Sequence, residues 1–220
     1  MIITGYFVCY AYLFAVIGGI GAIQKLAGFS VEISRKLVHT LIVFTWVFLY
    51  HYFWYSWQIL IVPLSFIFIN TASYRFKIFK MIERDDGRTN HKGTIYFSIG
   101  ITVLMLSALL MPETIMATGI ATFALCFGDG LAAIFGISSK KKVYIVNNKT
   151  VAGTISCFLG AVVGLYFFSL LLNYHMPFYS VFLLSIATAA LELVGNGFDN
   201  FSILFGVYFL STLFIRSGVF

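Results

Sequence analysis

Charge, proline and cysteine are all scarce in this chain, and each shortage removes a class of protein. Charged side chains make up 10% of the 220 residues, against 60% hydrophobic ones. A soluble domain carries about 25% charged residues, so a surface built to face water is excluded and an integral membrane protein is expected. Only three prolines are present, so long helices can run without interruption. The three cysteines, Cys9, Cys126 and Cys157, form an odd set, lie in apolar runs and lack metal-ligand spacing. They read as small buried hydrophobes, not as a disulfide framework or a metal site. Alternating ten-residue segments are also missing, which excludes a transmembrane barrel.

What is present is a series of helix-length apolar runs. Since backbone groups facing lipid must be paired within the chain, the fold class expected is all-α, a polytopic membrane protein of about eight transmembrane helices. The spans fall at residues 2–23, 37–53, 57–74, 95–111, 114–137, 150–172, 178–193 and 201–215. The first has no basic segment ahead of it and no cleavage site, so it reads as a retained helix. Residues 1–220 are expected to form a single transmembrane catalytic domain, with its oligomeric state left open.

Basic residues follow alternate connections, as the positive-inside rule requires. Lys25, Arg35 and Lys36 follow the first span; Arg75, Lys77, Lys80, Arg84, Arg88 and Lys92 follow the third; Lys140, Lys141, Lys142 and Lys149 follow the fifth. Only Arg216 lies outside this pattern, so both termini are expected on the non-cytoplasmic side. Residues 50–57, YHYFWYSW, suit an interfacial aromatic belt on that side. His51 belongs to that belt, and His175 to a short loop before Pro177.

Four polar clusters then fall on the cytoplasmic face. In the first, Arg35 and Lys36 are four and three residues before His39, so a cation and the imidazole share a helix face suited to a phosphate-bearing ligand. The plain alternative is a positive-inside anchor. The second, residues 74–93, interleaves Phe76, Phe79 and Ile82 with basic residues, as expected of a segment lying on the headgroup layer. His91 and Thr94 stand at the entry to span four.

The third cluster is the costly one. Asp129 sits inside an apolar span, where an acid at the helix centre disfavours insertion by roughly 2.5 to 3.5 kcal/mol. Gly128, Gly130 and Gly136 lie around it, and Lys149, Thr150, Gly153 and Thr154 open the next span. An acid to hold a divalent cation, with a lysine, a hydroxyl and glycine-exposed amides to meet phosphate oxygens, suits a nucleoside triphosphate. A structural Asp capping a broken helix is the alternative. The Walker run of glycine, four residues and Gly-Lys-Ser/Thr is absent. In the fourth cluster Glu192 and Asp199 flank a glycine-rich break, two hard oxygen ligands suggesting Mg²⁺; as alternatives, Asp199 and Asn200 cap the last span and Glu192 is a buried neutral acid.

Together these residues resemble a known family. Asp129-Gly130-Leu131-Ala132-Ala133-Ile134-Phe135-Gly136 followed by Lys149-Thr150-Val151-Ala152-Gly153-Thr154 is similar to the CTP-binding signature of the dolichol kinase, phytol kinase and CTP-dependent diacylglycerol kinase superfamily. Arg35-Lys36-Leu37-Val38-His39 resembles its Arg-Lys-x-x-His entry, Gly93-Thr94-Ile95-Tyr96-Phe97 its Gly-Thr segment, and Glu192 with Asp199-Asn200 its C-terminal acidic pair. The resemblance departs at Ala152, where many relatives carry Glu. The arginine and further aspartates of CDP-alcohol phosphotransferases are missing, as is the long signature of CDP-diacylglycerol synthases.

The resemblance implies a CTP-dependent lipid alcohol kinase, passing the γ-phosphate of CTP to an isoprenoid alcohol or diacylglycerol at the cytoplasmic interface of a plasma membrane or endomembrane. It implies Mg²⁺ or another divalent cation on Asp129, Glu192 and Asp199, and phosphate contacts from Arg35, Lys36, Lys149 and Thr150 with the glycines around them. Asp129 or His39 accepts the hydroxyl proton. The expected partners are the lipid alcohol, the nucleotide and the bilayer, with no nucleic acid. The alternatives are a cytidylyltransferase making a CDP-lipid and, from another class, a lipid or ion transporter.

Overall fold

The computed structural model describes residues 2–79, 93–139, 142–147, 149–195 and 198–220. Lys80, Arg84, Arg88, His91, Lys92, Lys140 and Lys141, and with them most of the second basic cluster, lie outside the described residues. The described residues are helical throughout, apart from short links and one isolated antiparallel bridge between Tyr144 and Thr150. Six helical segments, Ile2–Ala27, Val31–Phe53, Trp57–Phe76, Gly93–Leu110, Pro112–Ser138 and Val151–Leu172, are long and apolar enough to cross a membrane. The last two expected spans are helices as well, but they are not among these six.

By its contacts the chain divides into two compact units, residues 1–112 and 113–220. The boundary falls in the short link after the fourth span, which no glycine-rich or polar linker marks.

In the first unit, α1 (Ile2–Ala27) packs on α2 (Val31–Leu41) and α3 (Thr45–Phe53), and α4 (Ile61–Phe76) packs on α5 (Gly93–Leu110). Helix α1 runs past its expected end and stops at Gly28, whose φ of 68° is the left-handed geometry of a helix C-terminus. Helix α2 begins well before Leu37 because Ser30 caps it, its hydroxyl accepting from the Ile33 amide at 3.3 Å, and Glu32 meets the positive end of the dipole. A 3₁₀ turn over Ile42–Phe44 carries α2 into α3 without a break. Tyr55, at φ 68°, turns the chain within the aromatic stretch, and Ser56 caps the next turn.

The second unit is built around α6 (Ile115–Ser138), with α7 (Val151–Leu172), α8 (Phe178–Val194) and α9 (Asp199–Arg216) packed against it. From Ala117 to Gly130 every residue of α6 is buried, as befits a central helix apolar on all sides. Helices α6 and α7 meet almost backbone to backbone. A Cβ on Gly160 would lie 2.5 Å from the Phe127 carbonyl oxygen, and one on Gly164 would lie 2.7 Å from that of Phe123. Small residues permit this approach, and dispersion and weak backbone contacts hold it. The C-terminal ends of α6 and α8 and the N-terminal ends of α7 and α9 therefore share one end of this unit.

Candidate functional site

At that end the segment between α6 and α7 forms a tight turn. The Ile145 amide donates to the Lys149 carbonyl, the Lys149 amide to that of Val146, and the Val151 amide to that of Val143, at 2.8, 2.8 and 2.9 Å. Asn147 takes the left-handed conformation, φ 50°, that asparagine tolerates, and its side-chain amide donates to the Leu193 carbonyl at 3.0 Å. The turn is thus tied to the end of α8. Thr150 then caps α7, its hydroxyl accepting from the Gly153 amide at 3.1 Å.

This arrangement delivers Lys149 between two carboxylates that lie far from it in sequence. Its Nζ donates to Glu192 Oε1 at 2.5 Å and to Asp199 Oδ2 at 2.8 Å. The Glu192 side chain is 5% exposed, and those of Lys149 and Asp199 about one fifth. Burial alone would make the ammonium easier to deprotonate, but the charges and hydrogen bonds of Asp199 and Glu192 outweigh it and hold Lys149 well above its ordinary value of 10.5. The lysine is therefore charged at every physiological pH.

Asp129, 5% exposed on α6, is close enough to Glu192 for the two charges to interact. One ammonium thus bridges two carboxylates, with the carboxyl group of Asp129 near one of them. Glu192 Oε2 and Asp199 Oδ1 are buried and have no hydrogen-bond partner among the described residues. Gly195 matters here, because a Cβ at that position would collide with Asp199 Oδ1. The Ser202 hydroxyl, donating to the Leu191 carbonyl at 3.2 Å, fastens the first turn of α9 to α8.

Depth follows from the α6–α7 contacts. Gly153 faces the Ala132 carbonyl and Gly128 faces Cys157, so Asp129 lies level with the second turn of α7. At about 1.5 Å per residue this is roughly 8 Å in from the start of α7.

The glycines expected to admit phosphate have a packing role. Gly136 faces the Thr150 hydroxyl and Gly153, Gly153 faces Ala132, and Gly128 faces Thr188 and Cys157. Gly130 is buried on the same helix, and the Thr154 hydroxyl donates to the Thr150 carbonyl at 3.2 Å.

The first unit holds the remaining expected residues. Arg35 pairs with Glu32, one turn before it, at 2.6 Å. Lys36 is buried, and His39 meets Phe97 edge to face with ring centroids 4.6 Å apart. Sequence reasoning omits Glu32 as well as Asn147 and Ser202. The spacing of Glu32 and Arg35 is a legible signal, and so is the turn-forming Asn147; nothing in the sequence marks Ser202.

No three His, Cys, Asp or Glu side chains among the described residues form a metal-ligand group. Glu192 and Asp199, with one unpartnered oxygen each, nevertheless suit Mg²⁺, which commonly takes one or two protein carboxylates and fills its shell with phosphate oxygens and water.

No family model matches the chain, and no solved structure matches it. It is similar to the uncharacterized protein MJ1137 of Methanocaldococcus jannaschii, with 33% identity over 133 residues, 58% of this chain. The match spans 60% of that protein's length.

Proposed function

We propose that the protein is a membrane lipid kinase, passing the γ-phosphate of CTP to the hydroxyl of a lipid alcohol at the cytoplasmic face. In this reading the chain crosses the bilayer eight times, with both termini on the other side. The observation that carries it is the Lys149 ammonium held between Glu192 and Asp199 with Asp129 nearby, at one end of the second unit's helices. In this reading a lipid hydroxyl reaches the site laterally and a nucleotide reaches it from water.

A triphosphate is drawn to these carboxylates only with a cation, and Glu192 and Asp199, each with one unpartnered oxygen, are the residues to hold Mg²⁺. The cation, when bound, neutralises charge on the phosphate oxygens. Lys149 supplies a second, permanent positive charge, and the turn that carries it fixes its backbone. Asp129 is buried on the central helix beside Glu192, and we assign it to accept the proton of the lipid hydroxyl. His39, Arg35 and Lys36 keep the acceptor and phosphate roles implied by the family resemblance. Phosphoryl transfer asks mainly for positioning and charge neutralisation, both of which this constellation offers.

Nucleotide binding tests the reading before any acceptor is known. Radiolabelled CTP with Mg²⁺ should be retained by the purified protein in equilibrium dialysis, and Glu192→Gln and Asp199→Asn should each weaken retention at least tenfold. Retention that survives both substitutions would place the nucleotide elsewhere.

A further inference from the structure

The turn that carries Lys149 has a second property, which the catalytic reading does not use. Val143, Tyr144, Ile145 and Val146 are 61, 58, 51 and 47% exposed, so four consecutive apolar side chains stand out from the end of the second unit. They are not a slack loop. Three backbone hydrogen bonds close the turn and Asn147 pins it to α8.

In the sequence Lys140, Lys141 and Lys142 precede this tip, while Lys149 after it is held by Glu192 and Asp199. Below it the exposed side of α7 begins at once with Val151, Ile155 and Leu159, one turn apart on one face. An apolar surface thus runs from a helix of membrane-spanning length onto the turn, and the exposed Lys142 borders it.

We propose that this turn is seated in the bilayer, its apolar tip among the acyl chains and Lys142 on anionic headgroups. Apolar side chains supply the insertion, and each lysine near an anionic surface strengthens it by about fivefold. The lipid composition around the protein then acts on the segment that positions Lys149. The inference stands on exposure and charge alone and does not require the protein to be a kinase.

A fluorescent probe can read this directly, because Cys9, Cys126 and Cys157 are buried and do not compete for a thiol label. An environment-sensitive fluorophore on Ile145→Cys, and separately on Val143→Cys, is placed in nanodiscs of phosphatidylcholine with and without phosphatidylglycerol. The expected result is blue-shifted emission, quenching by brominated acyl chains and protection from iodide. All three should be stronger with phosphatidylglycerol, and that gain should shrink in Lys142→Gln. Quenching by iodide would overturn the proposal. Protection from iodide without quenching by brominated lipid would mean a protein cover, and would overturn it equally. Insertion indifferent to phosphatidylglycerol would remove the anionic preference.

Discussion

Replacing Lys149 by Met keeps an apolar side chain of similar length and deletes the ammonium from between two carboxylates. Glu192, 5% exposed, and Asp199, about one-fifth exposed, would then face each other without a counter-ion. Removing one partner of a buried ion pair costs about 3 to 5 kcal/mol. The partial exposure of Lys149 and Asp199 puts Lys149→Met at the lower end, near 3 kcal/mol or roughly a hundredfold in the folding equilibrium. Glu192→Gln should cost less, about 1 to 2 kcal/mol, because Lys149 keeps Asp199. The triple variant Lys149→Met, Glu192→Gln, Asp199→Asn removes every charge of the trio and should recover most of the loss. Equilibrium unfolding in mixed detergent micelles reads all three. The reasoning fails if Lys149→Met is as stable as the parent, or if the triple variant is no more stable than the single one.

Alkaline pH gives an independent reading of the same cluster. Because Lys149 is held above 10.5 in the folded protein, its stabilisation is complete below the unfolded value and is lost as pH rises through the folded one. The melting temperature of the parent should carry a component that falls only above about pH 10.5, and Lys149→Met should lack it. Glycine surroundings predict effects of opposite sign at two positions. Gly160→Ala sets a Cβ 2.5 Å from the Phe127 carbonyl oxygen and should destabilise by about 1 to 3 kcal/mol. Gly18→Ala, on α1, meets nothing within 4 Å and should stabilise by about 0.5 to 1 kcal/mol. The same unfolding assay would contradict the contact if Gly160→Ala proved neutral.

Much of this fold is legible from hydrophobic run length, because a helix that must bury or immerse its whole surface leaves a continuous apolar trace. All eight expected segments are helical, and the six long ones stand out by length and apolarity. The start of α2 is harder to see, since Val31 to Lys36 is polar enough to resemble a loop; only Ser30, followed by Glu32, signals a cap. Two compact units are not legible, because helix-to-helix contacts choose partners by shape and not by composition.

The site divides in the same way. Asp129, Glu192 and Asp199 declare themselves because acids in apolar surroundings are rare. That Lys149 bridges two of them depends on a turn and on contacts between residues distant in sequence, which no local pattern encodes. Gly136 and Gly153 face partners across the α6–α7 contact, which no local pattern encodes either. The pairing of Arg35 with Glu32, three residues earlier, is legible from helical spacing alone.

The central claim is phosphoryl transfer to a lipid alcohol, and the position of a label decides it. Purified protein receives Mg²⁺, a panel of isoprenoid alcohols, diacylglycerol and phosphatidic acid, and CTP labelled either at the γ-phosphate or in the cytosine. The account predicts γ-label in an alcohol, no cytosine label in any lipid, and loss of transfer in Asp129→Asn. Cytosine label in lipid would contradict it in favour of a nucleotidyl transferase. Absence of both labels, with lipid or ion flux that depends on Asp129, would contradict it in favour of a transporter.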